Sequence, residues 1–347
     1  MPPANANHPP HNLVVDVAGV RVGNAHDARV ASGVTAVVFD TANVASAVTH
    51  GGAPGSRDTT LLEPEMTVSG VDAVLLTGGS AFGLDAAGGA LSVLRSAGRG
   101  LTVGSVKVPI VAQAITFDLL NGGDKDWSRM PPYWDLGWQA TQEATAAPFK
   151  LGTAGGGYGA TTVLYKGGLG SASASTASGF IVAAIVVVNA VGSVTVGDGP
   201  HFWAAPWEVG AEFGGLGSPG HVTPQDLRMR IKGGSPPSTT IALVATDAIL
   251  TKAQAKRLAI MADDGLARAI RPAHTPTDGD TVFAVATLKR PMREGGSDLT
   301  EIGLAAADCL ARAIARGVYE ASALPFPGAL PAWRDRFAAI VSRGSAP

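Results

Sequence analysis

The sequence predicts an α/β domain in which β-sheets are covered by helices. Three observations carry this reading. Short apolar segments of strand length alternate along the chain with stretches of helical period. The longest apolar run, residues 180–188, is almost entirely Ile, Val and Ala. That is the pattern of a strand buried on both faces, and it is far short of the ~20 residues a spanning helix needs. Glycine is abundant, 45 of 347 residues, and aromatic residues make up only 6%, so layers can approach closely.

The elements follow in order. Residues 1–12 are rich in Pro, Asn and His and read as a disordered tail before a single domain over 13–347. Strands are expected at 13–22 and 34–39. A strand at 71–77 ends in Gly78-Gly79-Ser80-Ala81-Phe82-Gly83. A helix over 84–97 follows, with Leu84, Ala87, Leu91 and Leu94 at helical spacing. Residues 180–188 and 193–196 are strand-like. Residues 197–238 crowd Gly, Pro, His and Trp without a period, the signature of a long functional loop. Then come a strand at 239–246 and a helix at 252–270, opened by the capping box Thr251/Gln254 and stopped by Pro272. A strand at 281–287, a helix at 302–316 and a terminal helix at 331–342 complete the chain. Cys309 lies in the pattern Ile302, Ala306, Cys309, Leu310, Ala313 and reads as a small core hydrophobe.

Composition excludes several classes. With 46% hydrophobic residues the chain can bury a large core. A net charge of −2 gives no electrostatic case for nucleic acid or an anionic membrane. One cysteine excludes an intramolecular disulfide framework and a cysteine zinc cluster. The N-terminus has neither the basic nor the apolar region of a secretory signal, so a soluble, cytoplasmic protein is expected.

The most informative stretch is Ser235-Pro236-Pro237-Ser238-Thr239-Thr240-Ile241, a Pro-rich turn running into two threonines and an apolar strand. If the Ser238–Thr239 bond breaks, Thr239 gains a free α-amine beside its hydroxyl. One residue then carries nucleophile and base. Alone, the same stretch also suits an ordinary turn before a strand. Asp278-Gly279-Asp280 places two carboxylates on one face of an extended segment. It reads as a turn, a proton-handling pair or a metal site. No further carboxylate or histidine lies nearby at ligand spacing, and His274 reads as a loop-structuring residue. One residue with its own amine needs no Lewis acid, so no metal is expected. Asn189 ends the apolar run either as a strand cap or as an amide N–H donor to a developing oxyanion. Lys166 is either a solvated lysine or a charge that lowers the pKa of a neighbouring amine. The glycine turns at 78–83 and 155–159 lack a phosphate-loop fingerprint and read as close backbone packing, compatible with oxyanion binding.

Several motifs then recur in a familiar order. They are His50-Gly51-Gly52-Ala53-Pro54-Gly55-Ser56-Arg57-Asp58-Thr59, Leu76-Thr77-Gly78-Gly79-Ser80-Ala81-Phe82-Gly83, Val108-Pro109-Ile110-Val111 with Phe117-Asp118, and Gly167-Gly168-Leu169-Gly170-Ser171-Ala172-Ser173. Thr239-Thr240-Ile241 and His274-Thr275-Pro276 with Asp278-Gly279-Asp280-Thr281 complete the set. Over residues 12–322 the chain resembles the peptidase family of the L-aminopeptidase/D-esterases, β-peptidyl aminopeptidases and endo-type 6-aminohexanoate-oligomer (nylon oligomer) hydrolases. The resemblance implies a four-layer α/β/β/α sandwich like that of N-terminal-nucleophile hydrolases, with different strand connectivity. It implies self-cleavage at Ser238–Thr239 into an α chain 1–238 and a β chain 239–347, no cofactor, and a homotetramer of αβ units. Thr239 matches the nucleophile and Asn189 the asparagine beside it. Asp278 and Asp280 match the acidic pair of the nylon branch, where the aminopeptidase branch tends to have Ser and Glu. Three positions depart from the pattern. Ser238 stands where relatives often have Asn or Gly. Lys166 comes two residues later than the family lysine. Phe117 stands where some relatives use a Tyr hydroxyl at the oxyanion. The expected activity is hydrolysis of short peptides or 6-aminohexanoate oligomers through an acyl-enzyme on Thr239. The rivals are an aminopeptidase or β-peptidase of the same family, an acyltransferase of the ornithine acetyltransferase type, and a protein without catalysis.

Overall fold

The structure, a computed structural model, describes residues 9–233 and 237–344. Its regular elements begin with strands β1 (Val20–Asp27), β2 (Ser32–Thr49), β3 (Ser56–Arg57) and β4 (Val71–Thr77). Helix α1 (Ala86–Ser96), strands β5 (Leu101–Val103), β6 (Val106–Val108) and β7 (Val111–Ile115), and helix α2 (Tyr133–Gln142) follow. Then come β8 (Gly168–Ser175), β9 (Ile181–Asn189), β10 (Thr239–Ala248), α3 (Lys252–Ala269), β11 (Thr281–Arg290), α4 (Asp298–Tyr319) and α5 (Trp333–Gly344).

Strand β2 joins two sheets. Its first half pairs with β1 and β4, its second with β11, and the pairing register to β4 breaks between Val38 and Asn43. One sheet thus runs β3-β7-β4-β2 with β1 alongside β2, and the other runs β2-β11-β10-β9-β8. The two-residue period of β10 sets the layers. Ile241, Leu243 and Ala245, with Ile185, Val187, Phe283 and Val285, meet Val37, Phe39, Val74 and Leu76 in a core between the sheets. Ala242 and Val244 point the other way, onto Leu258, Leu266, Leu310 and Ile314 of α3 and α4. Beyond the first sheet, Ala36, Val38, Ala73 and Leu75 pack on Ala87, Leu94, Leu136 and Ala140 of α1 and α2. The result is the expected α/β/β/α order of layers. Burying one such aliphatic side chain is worth ~1.5–3 kcal/mol.

Most expected elements form near their expected places. The Thr251/Gln254 capping box closes in both directions. Cys309 is buried in the core, its thiol pushed up to about 12 by burial. Two strands differ. Residues 14–16 form a 3₁₀ turn, and strand β1 starts only at Val20. The Asp16 carboxylate accepts the N–H groups of His11 and Leu13 at 3.1 Å each, offering the backbone a local alternative to the ladder. Residues 193–196 make only isolated bridges, because the Ser193 hydroxyl turns back onto Thr195. Of the tail expected over 1–12, residues 1–8 lie outside the described residues. Asn12 is tied down, its amide oxygen accepting from Ser173 N–H at 3.0 Å and Arg312 at 2.9 Å. Ser235 and Pro236 of the expected turn also lie outside the described residues.

Candidate active site

The register brings the site together at one end of the second sheet. Thr239 is the first residue of β10 and stands opposite Asn189, the last residue of β9. On the other side β10 runs parallel to β11, whose first residue follows Asp280. Three strand termini therefore meet around a buried threonine.

In the intact chain the Thr239 hydroxyl lies against the bond it would attack, its Oγ1 donating to the Ser238 carbonyl at 2.6 Å. The Ser238 carbonyl oxygen also accepts the Gly279 N–H at 2.8 Å. Ser238 N–H donates to Thr277 O at 3.0 Å, so the segment before the nucleophile runs as a short parallel bridge beside Asp278. A Cβ on Gly279 would stand 2.7 Å from Thr239 Oγ1. The sequence reading gave Gly279 no role of its own; the structure places it against the Thr239 hydroxyl.

The carboxylates flank this glycine. Asp280 Oδ1 accepts the Thr240 N–H at 2.8 Å, and Oδ2 accepts the His274 N–H at 3.0 Å. Asp278 accepts the N–H groups of Thr275 at 2.9 Å and Val191 at 3.3 Å. Burial, and then the neighbouring Asp280 charge, push the Asp278 carboxyl above its ordinary range. Behind the pair, Gly51 and Gly52 pack so tightly that a Cβ on either would strike the 276–280 backbone within 2.7 Å. Ala53 N–H donates to Asp278 O at 2.7 Å. The His-Gly-Gly motif is thus the wall that holds the Asp-Gly-Asp loop.

His274 joins this network. Its Nδ1 lies 2.9 Å from Asp280 Oδ2 and its Nε2 lies 3.2 Å from Asp263 Oδ2. The Asp263 and Asp280 carboxylates beside the ring raise its pKa to about 10. His50 Nδ1 meets the same Asp263 oxygen at 2.7 Å. Among the described residues, His50, Asp263 and His274 form a group whose ligand atoms lie within 4.8 Å of one another. The expectation that no further carboxylate or histidine stands near the Asp278/Asp280 pair is therefore corrected: His274 meets Asp280, and Asp263 and His50 lie behind it. Asp263 comes from α3 and His50 from the end of β2, too distant in sequence for any spacing rule.

Asn189 bridges the other side. Its Oδ1 accepts Thr161 N–H at 2.9 Å and Lys232 Nζ at 3.3 Å, and one Nδ2–H donates to Phe117 O at 2.9 Å. Its amide carries a second N–H. Lys166 is fully buried rather than solvated, and donates to the Gly157 and Gly167 carbonyls at 2.9 and 3.0 Å. Burial, helped by the Lys232 charge and opposed by Asp118, lowers its pKa to about 7. Among the described residues it makes no bond to Thr239. Lys232, which the sequence reading missed inside its long loop, is the lysine at the site. Its Nζ donates to Ser238 Oγ at 3.1 Å, and burial lowers its pKa to about 7 against the pull of Asp278 and Asp118.

The glycine turns pack backbone, as read. At 78–79 the available N–H is already taken: Gly79 N–H donates to Asp118 Oδ1 at 2.8 Å, and a Cβ on Gly78 would meet Asp118 Oδ2 at 2.1 Å. At 155–157 a Cβ on any of the three glycines would strike a neighbouring atom within 2.4 Å. Two cavities open at the site. One, about 380 Å³, touches Thr239 and is lined by Ala53, Ser56, Ser80 and Leu84. The other, about 300 Å³, holds Asp118, Asn121, Thr161 and Lys232. Phe117 and Pro237 line both and stand between them.

Residues 12–328 match the sequence model of peptidase family S58. The chain belongs to peptidase family S58. Membership makes it a hydrolase acting on amide bonds. An uncharacterized aminopeptidase of Mycobacterium tuberculosis is 42% identical over 349 residues, covering 94% of this chain and 98% of that protein. One of Mycobacterium leprae is 40% identical over 355 residues, covering 92% and 96%. Solved structures share the fold. A beta-aminopeptidase of Burkholderia sp. superposes with a TM-score of 0.70 at 21% identity, covering 99% of this chain and 97% of that one. The L-aminopeptidase D-Ala-esterase/amidase of Ochrobactrum anthropi, described as a new variant among the Ntn hydrolase fold, gives 0.67 at 22% identity, covering 99% and 96%.

Proposed function

We propose that this S58 member is a self-processing aminopeptidase that uses Thr239 as an N-terminal nucleophile. The observation that carries the reading is the Ser238 carbonyl held between the Thr239 hydroxyl at 2.6 Å and the Gly279 N–H at 2.8 Å. The hydroxyl oxygen attacks that carbonyl carbon, and Gly279 N–H stabilises the developing oxyanion. The C–N bond to Thr239 breaks, the nitrogen takes up a proton, and Ser238 is left as an ester on Thr239 Oγ1. Water then hydrolyses the ester and frees chain 1–238.

The new α-amine of Thr239 has an ordinary pKa of about 7.7–8.0, suited to a general base at neutral pH. It takes the hydroxyl proton as Oγ1 attacks a substrate amide, and an acyl-enzyme forms. Asp280, bonded to the next N–H along the strand, holds the Thr239–Thr240 backbone. Asn189 offers its second N–H to the substrate oxyanion. The names of the 40–42% identical relatives favour a peptide with a free N-terminus. The Thr239/Asp278/Asp280 combination favours a second substrate class, 6-aminohexanoate oligomers.

The test is the mass of the purified protein. Wild type should give two fragments meeting between 238 and 239. Thr239→Ala should remain one chain of about 35 kDa and be inactive, while Thr239→Ser should cleave and retain activity. Cleavage of the alanine variant at the same bond overturns the assignment. An amine acceptor that is acylated in preference to water would make the enzyme a transferase.

A further inference from the structure

We propose that Lys232 is a specificity-determining residue that reads the side chain of the residue being released, and that the enzyme prefers N-terminal residues with a hydrogen-bond-accepting side chain: Asp, Ser or Asn. The inference rests on the aminopeptidase reading above and names the substrate class of that site.

Ser238 is the built-in substrate of the intact chain. Its carbonyl is the one Thr239 meets, and its N–H donates to Thr277 O. The amine of a substrate's first residue takes the place of that N–H and keeps the same acceptor. The side chain of that first residue then takes the place of the Ser238 side chain, whose Oγ accepts from Lys232 Nζ at 3.1 Å. Self-cleavage removes Ser238 from this contact and leaves the Lys232 amine, a hydrogen-bond donor, facing the vacated space.

Lys232 is fixed there rather than lying loose in its loop. Its backbone N–H donates to Val191 O at 3.1 Å, and its Nζ also donates to Asn189 Oδ1 at 3.3 Å. It lines the cavity of about 300 Å³ beside the site. The Lys232 amine donates in either protonation state and, when protonated, has three donors and no acceptor, so the space favours an acceptor and opposes a cation. Asp118 lines the same cavity, but its carboxylate already accepts Ser32 Oγ at 2.7 Å and Gly79 N–H at 2.8 Å, and burial raises its pKa. Lys232 is thus the group left to address a ligand. The second cavity, which touches Thr239 itself, is lined by Ala53, Pro54, Gly55, Ser56 and Ser80 and carries no charge.

The experiment measures kcat/KM on dipeptides X-Ala with X = Asp, Ser, Ala, Leu and Lys, for cleaved wild type, Lys232→Met and Lys232→Glu. Wild type should favour Asp and Ser over Leu and Lys by about ten- to hundredfold, the range of one hydrogen bond to a charged group. Lys232→Met should erase the Asp/Leu ratio and Lys232→Glu should move the preference to Lys. A flat wild-type profile, or a ratio unchanged in Lys232→Met, overturns the proposal. Hydrolysis of no dipeptide by cleaved wild type overturns the aminopeptidase reading instead. Should a Lys232 variant fail to cleave, wild-type Lys232 is tested through residue 238. Ser238→Asp should self-cleave at least as fast as Ser238→Leu, and the reverse order overturns the proposal.

Discussion

Gly279→Ala isolates the contact on which the proposed self-processing depends. The added Cβ would stand 2.7 Å from Thr239 Oγ1, 2.8 Å from Ala53 O and 3.1 Å from Pro54 Cα. Two of these neighbours are backbone held by the His-Gly-Gly wall, so the loop or the nucleophile must move. Ordinary contact requires a shift on the order of 0.5–1 Å. A misplacement of about 1 Å costs ~10²-fold in a positioned reaction, and losing an oxyanion donor costs ~10²–10³-fold. Self-cleavage should therefore slow by at least about 10²-fold. Overpacking of this kind destabilises by ~1–3 kcal/mol, a few degrees in Tm for a chain of this size, so the variant should still fold. The assay follows intact mass against time, with Tm measured on the same samples. A variant that cleaves at the wild-type rate with an unchanged Tm would refute the role given to Gly279.

Other perturbations separate the remaining groups. Asp280→Asn keeps an acceptor for the Thr240 N–H but loses the charge facing His274, so self-cleavage or kcat should fall at least tenfold in a folded protein. Full activity in both Asp278→Asn and Asp280→Asn would return the pair to turn residues. Activity should survive exhaustive EDTA, because the proposed chemistry uses only Thr239, its amine and backbone donors; loss restored by zinc would give His50, Asp263 and His274 a catalytic metal. His274 is raised from its ordinary 6.5 to about 10, so the stability it adds is full below about pH 6.5 and is lost as pH rises towards 10. His274→Gln should flatten the fall of Tm across that window, an effect of a few kcal/mol at most. An unchanged slope would show that the Asp263–His274–Asp280 contacts carry no net charge energy.

The layers were readable because burial leaves a periodic trace. In β10 every side chain is buried, yet odd and even positions still belong to different cores, and β9 and β11 follow the same rule. Strand β8 left no such trace. Gly168-Leu169-Gly170-Ser171-Ala172-Ser173 has low strand propensity, and it forms a strand because α4 lies close against it. A Cβ on Gly170 would stand 1.8 Å from Ala313 O. Here tertiary approach selects small residues, and small residues carry little local signal.

The site divides along the same line. Thr239, Asn189, Asp278 and Asp280 sit at strand ends, so a reading that places strands also places them. Lys232, His50 and Asp263 reach the site only through pairings that sequence spacing does not encode. Lys166 and Lys232 make the point sharply. Both are buried enough to have pKa values near 7. The family pattern drew attention to Lys166, yet its bonds go to two glycine carbonyls, while Lys232 meets Asn189 and Ser238. A side chain of four methylenes can deliver its charge several ångströms from its Cα, so a lysine's place in sequence constrains its ammonium weakly. The backbone anchor from Lys232 N–H to Val191 O, two residues past Asn189, makes this loop lysine part of the site. It also explains how a segment without regular structure can present one amine to the Ser238 side chain.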